Sequence, residues 1–255
     1  MSTKTPKLTV VGAGPGDPDL ITLKAVKALE SADVVLYDAL INESLLGYAP
    51  KAEKIFVGKR KGCYAYQQEQ INELIVSRAK THGHVVRLKG GDPFIFGRGA
   101  EEIDYVQQFG VETNMVPGIS SSYAVPAYQG IPLTKRGSSE SFWVITGTTK
   151  SHKLSQDVKQ AAKSNATVVI LMGMGKLPEI VRIFSAENKD DIPVAIIQNG
   201  TTKKEQFGFG TIQTIEKVVL EKKLSSPAII VIGEVVNQRA KLTSIHKEVQ
   251  EEIIN

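Results

Sequence analysis

A single cysteine, Cys63, stands in a chain of 255 residues. No intrachain disulfide can form, and no cysteine-rich metal site can be built. The four histidines (His82, His84, His152, His246) are scattered through mostly charged contexts, so no metal is expected. Long apolar runs are also missing. The longest, "VVILM" and "AIIVI", are strand-sized and far short of a membrane span. No apolar segment follows the charges of "MSTKTPK", so no secretory signal is evident and a cytoplasmic protein is expected. The net charge of +4 is spread along the chain and too mild to demand nucleic acid or a membrane surface, though it suits an anionic small molecule. There is no H-E-x-x-H, no G-x-S-x-G and no Walker A lysine motif, which leaves the commonest hydrolase and P-loop chemistries without support.

What the chain does have is rhythm. Its 42% hydrophobic content is ample for a core, and much of it falls in β-branched runs. "LTVVGAG", "ADVVLYD", "EKIFVGK", "HVVRLKGG" and "TNMVPG" make five candidate strands before residue 119. "FWVITG", "TVVILMG", "IPVAIIQNG", "EQFGFGT" and "PAIIVIG" make five more after residue 141. Helical segments lie between many of them. In "DPDLITLKAVKALESA", Leu20, Leu23, Val26, Ala28 and Leu29 approximate one helical face, and "EEIDYVQQFG" ends in a glycine suited to a helix C-terminus. The alternation predicts an α/β protein with largely parallel sheets, and the glycine-broken "EQFGFG" hints at an antiparallel stretch in the second half.

Prolines 117, 126 and 132 punctuate "VPGISSSYAVPAYQGIPLTKRGSS", where a domain boundary with a short helix is expected. The predicted organisation is an N-terminal α/β domain over residues 1–118, a linker over 119–136, a C-terminal α/β domain over 137–243 and a charged tail over 244–255. Two α/β halves would leave a cleft, a preferred place for ligands.

The loops after the strands carry the chemistry. "VVGAGPGDP" enters the first helix with Gly12, Gly14 and Gly16, which invites a dinucleotide reading closed by Asp38. Pro15 sits where a phosphate-cradling turn wants an N–H, which disfavours a nicotinamide-dependent oxidoreductase. Asp38 ends an apolar strand at the edge where ligands bind open α/β sheets, so it reads equally as a base or as a turn cap. Lys59 ends the next strand in the same way, within the basic run "KRK". The densest stretch is "HVVRLKGGDPFIFGRG". There Gly90 and Gly91 can bring main chain close to a ligand, Asp92 can accept from an amine or hydroxyl, and Arg98 offers a planar fork for carboxylates. "LMGMG" and "QNGT" put glycine at the start of two later loops.

In order, the blocks "VGAGPGDPDLITLKA", "ADVVLYD", "FVGKR", "VVRLKGGDPFIFGRGAEE", "VPGISS", "GIPLTKR", "LMGMG", "QNGT" and "SPAIIVIGEVV" resemble the tetrapyrrole methylases over about residues 7–243. The resemblance implies two α/β domains with S-adenosylmethionine in the cleft between them, a homodimer, and no metal. It implies methylation of uroporphyrinogen III at C-2 and C-7 to give precorrin-2 and S-adenosylhomocysteine, on the way to sirohaem and cobalamin. Carried over position by position, it implies cofactor contacts at Pro15, Gly90, Gly91, Asp92, Ile95, Ser120, Ser121, Met172 and Gly200. Asp38 stands at the proton-acceptor position and Lys59 at the proton-donor position, with Arg98, Glu101 and Arg136 toward the substrate. The alternatives are a later precorrin methyltransferase of the same fold and a methylase-like body used only for binding. The chain departs from the family pattern at Tyr64 and Thr148, where histidines are common.

Overall fold

A computed structural model describes residues 4–58 and 66–239, which leaves Lys59, Cys63, Tyr64 and the charged tail outside the described residues. The chain divides into two compact units, residues 1–120 and 121–255.

The first unit is built on a five-stranded sheet of β1 (Lys7–Gly12), β2 (Val34–Tyr37), β3 (Glu53–Phe56), β4 (His84–Lys89) and β5 (Glu112–Val116). Its order is β3-β2-β4-β1-β5 and every pairing is parallel. Parallel strands need crossovers: α1 (Leu23–Glu30), α2 (Gln68–His82) and α3 (Gly99–Gln107) supply three of the four, and the 3-10 segment Glu43–Tyr48 supplies the one between β2 and β3. One face of the sheet packs Val11, Val35, Val86 and Leu88 with Ala25 and Leu29 of α1. The other packs Leu8, Val10, Val34 and Val85 with Ile71, Ile75 and Ala79 of α2 and Val106 of α3. Buried on both faces, the strands read as near-continuous apolar runs, and each such side chain contributes roughly 1.5–3 kcal/mol when fully buried.

The expected face of α1 needs correction. Thr22 caps the helix by accepting from the Ala25 N–H (3.1 Å), so Leu23 becomes its first residue and points outward, 81% exposed. Leu29 is buried as expected, and Ala25, which was not expected on that face, is buried with it. Helix α3 ends as expected, with Gly110 at φ 72° donating to the Gln107 carbonyl (3.1 Å).

The second unit holds β6 (Phe142–Thr146), β7 (Thr167–Leu171), β8 (Pro193–Gln198), β9 (Gln206–Thr211) and β10 (Ala228–Ile232), in the order β6-β7-β10-β8-β9. Helices α4 (Ser121–Tyr128), α5 (Asp157–Lys163), α6 (Leu177–Ala186) and α7 (Ile215–Lys222) accompany it. Helix α4 falls where the sequence predicts a short helix. The antiparallel stretch expected at "EQFGFG" is β9, paired antiparallel to β8, but the expectation of largely parallel sheets fails in this unit: among the described residues only β6 and β7 pair in parallel, and β10 is antiparallel to both β7 and β8. The reason is local. The loop between β8 and β9 is too short for a crossover, so the chain must turn back as a hairpin, and α7 then carries it over β8 into β10. Alternation of strand and helix types does not encode strand direction.

Candidate functional site

In an open parallel sheet, ligands bind where neighbouring strands send their connections to opposite faces. Here that place is the pair β1 and β4, because β1 leads to α1 on one face and β4 leads to α3 on the other. The loops that leave these two strands are the glycine-rich ones, and they bond to each other. Gly14 donates to the Gly91 carbonyl (3.3 Å) and Gly91 donates to the Gly14 carbonyl (2.6 Å), while the Ala13 N–H reaches the Lys89 carbonyl (2.8 Å).

The bareness of this backbone has a structural cause. A Cβ on Gly12 would lie 2.5 Å from the Gly118 backbone, and one on Gly118 would lie 2.3 Å from the Gly91 carbonyl oxygen. Gly12, Gly91 and Gly118 are therefore packed main chain against main chain. Asp92 ties the same place together: Oδ1 accepts from the Phe94 N–H (2.8 Å) and Oδ2 from the Gly118 N–H (3.0 Å). Each oxygen keeps a lone pair for a further donor. Pro15, Gly90 and Gly91 remain half-buried beside it. Half-exposed peptide groups and a pinned carboxylate suit a ligand with an amino group, hydroxyls and a carboxylate, so these residues fit the implied methyl donor.

Asp38 follows β2 at the same edge of the sheet. Its Oδ1 accepts from the Leu40 N–H (3.0 Å), the turn-cap role, and its Oδ2 faces Arg87 Nη2 at 3.4 Å. Both readings of Asp38 are thus compatible with one geometry. After Gly91 the loop carries Phe94, Ile95 and Phe96, all exposed, and Leu40 is exposed as well. A Cβ on Gly90 would lie 2.8 Å from that of Leu40, so this apolar surface borders the glycine loop. Arg98, at φ 60°, stands just before α3 and gives Nε and Nη2 to Glu101 (3.1 and 2.6 Å), a pair that raises the guanidinium pKa further. The structure pairs two of the three residues expected to meet the substrate with each other, on an exposed surface where such a bridge adds little stability.

Ser120 is buried and Ser121 opens α4. In the second unit, Met172 follows β7 at φ 55° with its side chain 52% exposed. Its carbonyl accepts from the Thr148 hydroxyl (2.9 Å), which gives the departure from the family's histidine a defined job in holding the loop. A Cβ on Gly200 would lie 2.3 Å from Val125 Cγ1 of α4, so glycine is needed there for close packing. Arg136 is exposed at the tip of a turn closed by Lys135 and Ser139. Among the described residues no group of His, Cys, Asp and Glu is arranged to hold a metal ion, and no helix is long and apolar enough to cross a membrane.

Sequence reasoning missed three buried ionic residues, Arg87, Lys89 and Glu102. Glu102 Oε1 accepts from Arg87 Nε (3.2 Å) and Lys89 Nζ (2.9 Å). Burial, reinforced by the Arg87 charge, pushes the Lys89 pKa down against the pull of Glu102. The signal was present: in "VVRLKGG" two cations two residues apart share one face of a strand that is otherwise apolar, and buried cations require a buried partner.

With this geometry in place, comparison with known proteins is specific. The family model of the tetrapyrrole (corrin/porphyrin) methylases matches residues 7–216. A uroporphyrinogen-III C-methyltransferase from Methanocaldococcus jannaschii is 46% identical over 236 residues, covering 91% of this chain and 98% of that one. A siroheme synthase from Pectobacterium atrosepticum is 44% identical over 239 residues, which cover 93% of this chain and 51% of that longer protein. Among solved structures, uroporphyrin-III C-methyl transferase from Thermus thermophilus complexed with S-adenyl homocysteine superposes with a TM-score of 0.77 at 37% identity, covering 91% of this chain and 99% of that one.

Proposed function

The chain belongs to the tetrapyrrole (corrin/porphyrin) methylases, and from that premise we propose that it is the S-adenosylmethionine-dependent C-methyltransferase that converts uroporphyrinogen III to precorrin-2. The observation that carries this reading is the near end-to-end match to a uroporphyrinogen-III C-methyltransferase, rather than a match confined to one motif. The chain spans only about half of the siroheme synthase it matches, so the later steps of that longer protein are not assigned to it.

S-adenosylmethionine supplies an electrophilic methyl group on a sulfonium. The protein's own task is largely positioning, since in-line displacement gains most of its acceleration from held geometry. In this reading Pro15, Gly90, Gly91, Asp92, Ile95, Ser120, Ser121, Met172 and Gly200 are the residues that contact the methyl donor. Asp92 accepts from a polar group of the donor with the lone pairs its two peptide bonds leave over. A pyrrole carbon that gains a methyl group leaves positive charge on the macrocycle until a proton departs. The Asp38 carboxylate stabilises that charge and takes the proton. Arg98 and Arg136 bind the acetate and propionate groups at the substrate rim, with Arg98 exchanging its bond to Glu101 for a substrate carboxylate. Lys59 is assigned the proton-donor role on resemblance alone. Methyl groups at C-2 and then C-7, destined for sirohaem or cobalamin, a homodimeric assembly and a cytoplasmic location complete the proposal, and a solution mass of twice 27.7 kDa would check the dimer.

The test is anaerobic incubation with uroporphyrinogen III and labelled S-adenosylmethionine, with methyl groups per product counted by mass spectrometry. Two transferred methyl groups are expected. Donor binding without transfer would redirect the assignment to a different tetrapyrrole.

A further inference from the structure

The buried ionic cluster under the sheet edge is arranged in a way that stability does not explain. Glu102 is completely buried, and its Oε1 receives three donors: Arg87 Nε (3.2 Å), Lys89 Nζ (2.9 Å) and Gln68 Nε2 (3.1 Å). Its other oxygen, Oε2, is buried with no hydrogen-bond partner among the described residues. Burying charge is costly unless every lone pair is met, and an apolar trio of similar volume is often as stable or more so.

What the arrangement does achieve is a fixed guanidinium. Arg87 is held at Nε by Glu102 and at Nη1 by two main-chain carbonyls, Leu36 (3.4 Å) and Leu88 (3.0 Å). Its Nη2 is thereby aimed at Asp38 Oδ2, 3.4 Å away. Asp38 is held from its other side by the Leu40 N–H. Lys89 brings the cluster to two cations and two carboxylates, so the group is neutral as a whole.

We propose that Glu102 is a positioning residue for Asp38, acting through Arg87, so that the carboxylate meets the substrate in one orientation. The proposal rests on the reading of Asp38 as the proton acceptor. Glu102 and Arg87 touch no substrate in it. Their contribution is transmitted along Glu102 Oε1, the guanidinium and Asp38 Oδ2.

A double-mutant cycle tests this, because residues that act through one group lose their separate effects once that group is gone. Methyl transfer at saturating substrates is measured for Arg87→Met and Glu102→Gln, each in the native background and with Asp38→Asn. Binding of S-adenosylhomocysteine is followed by calorimetry. In the native background each variant should lose about 10- to 100-fold in rate, the loss expected when a reacting group is misplaced by a fraction of an ångström to an ångström. KM for uroporphyrinogen III and affinity for S-adenosylhomocysteine should stay within about twofold. With Asp38→Asn present, neither variant should cost a further twofold, roughly the limit of additivity error. Equal losses in both backgrounds would overturn the proposal and leave a merely structural cluster. Asp38→Asn turning over at the native rate would remove the proton-acceptor reading and this inference with it.

Should Glu102→Gln fail to fold, the neutral replacement Lys89→Met with Glu102→Leu removes one charge of each sign and leaves Arg87 facing Asp38. That double variant should fold and still lose rate, because the guanidinium is no longer held at Nε. Full activity in it would refute the role of Glu102.

Discussion

His84 shows what one side chain at the head of a strand can do. Its Nδ1 faces the Ser31 carbonyl (3.0 Å), so it carries the ring proton, and Nε2 is left to accept from the Thr9 hydroxyl (2.8 Å). Burial lowers its pKa, with the Lys7 charge acting in the same direction, while the Ser31 carbonyl and Asp33 oppose them. Nearby, burial would raise the Asp33 carboxyl, but its bonds to Lys4 and to the His84 N–H outweigh that and hold it below 3.8. Both groups bind protons more readily in the unfolded chain, so unfolding free energy must rise with pH through both windows. The contribution of His84 is complete above about pH 6.5 and declines as pH falls toward its lowered folded value. That of Asp33 is complete above about pH 4 and is lost further down. Denaturant unfolding between pH 7 and pH 5 should show declining stability, and His84→Gln should flatten that slope. An unchanged slope in the variant would show that the ring is not buried neutral.

At the scale of elements, the loops that leave β1, β4 and β5 pack main chain against main chain. Gly118 lies against the Gly91 carbonyl and Gly12 Cα, neither of which can move aside as a flexible side chain could. Gly118→Ala should therefore cost at least about 1–3 kcal/mol, the usual range for overpacking. It should also weaken S-adenosylhomocysteine binding, because the displaced N–H of residue 118 is the one that pins Asp92 Oδ2. Gly110→Ala is the control for glycine itself. A Cβ there meets nothing within 4 Å, although φ is 72°, so the cost should be confined to backbone strain and binding should be unaffected. Thermal unfolding and calorimetry on the pair separate the two causes. A Gly118 variant as tolerant as the Gly110 variant would refute the close packing of these loops.

Across the whole molecule, each unit carries its own cores. The first buries two clusters, one on each face of its parallel sheet. The second buries one cluster around Phe184, Ile180 and Ile196 and another around Val125, Ile197 and Val231. A unit with a closed core of its own can fold alone. Residues 1–120 expressed separately should give a cooperative thermal transition, and so should residues 121–255. Broad, non-cooperative melting of either fragment would show that its core depends on the other.

Much of this was legible in the chain itself. Strand positions follow from β-branched runs because burial on both faces selects them, and all ten candidate strands are present. The ligand edge was legible because glycine, proline and a single carboxylate at strand ends are costly unless used. The ordered motif blocks place the chain in its family over residues 7–216. Three things were decided only by the tertiary structure. The antiparallel β9 was hinted at by the glycine-broken "EQFGFG", but the direction of β10, antiparallel to both β7 and β8, depends on which strands it joins, and no local pattern encodes that. The use of Gly12 and Gly118 for packing one backbone against another depends on residues over a hundred positions apart. The cluster of Arg87, Lys89 and Glu102 exists because α3 packs over β1 and β5, from where the Glu102 side chain reaches two cations of the neighbouring strand β4. Residue type and spacing act over a few positions, whereas the partner of a buried charge is chosen by the fold.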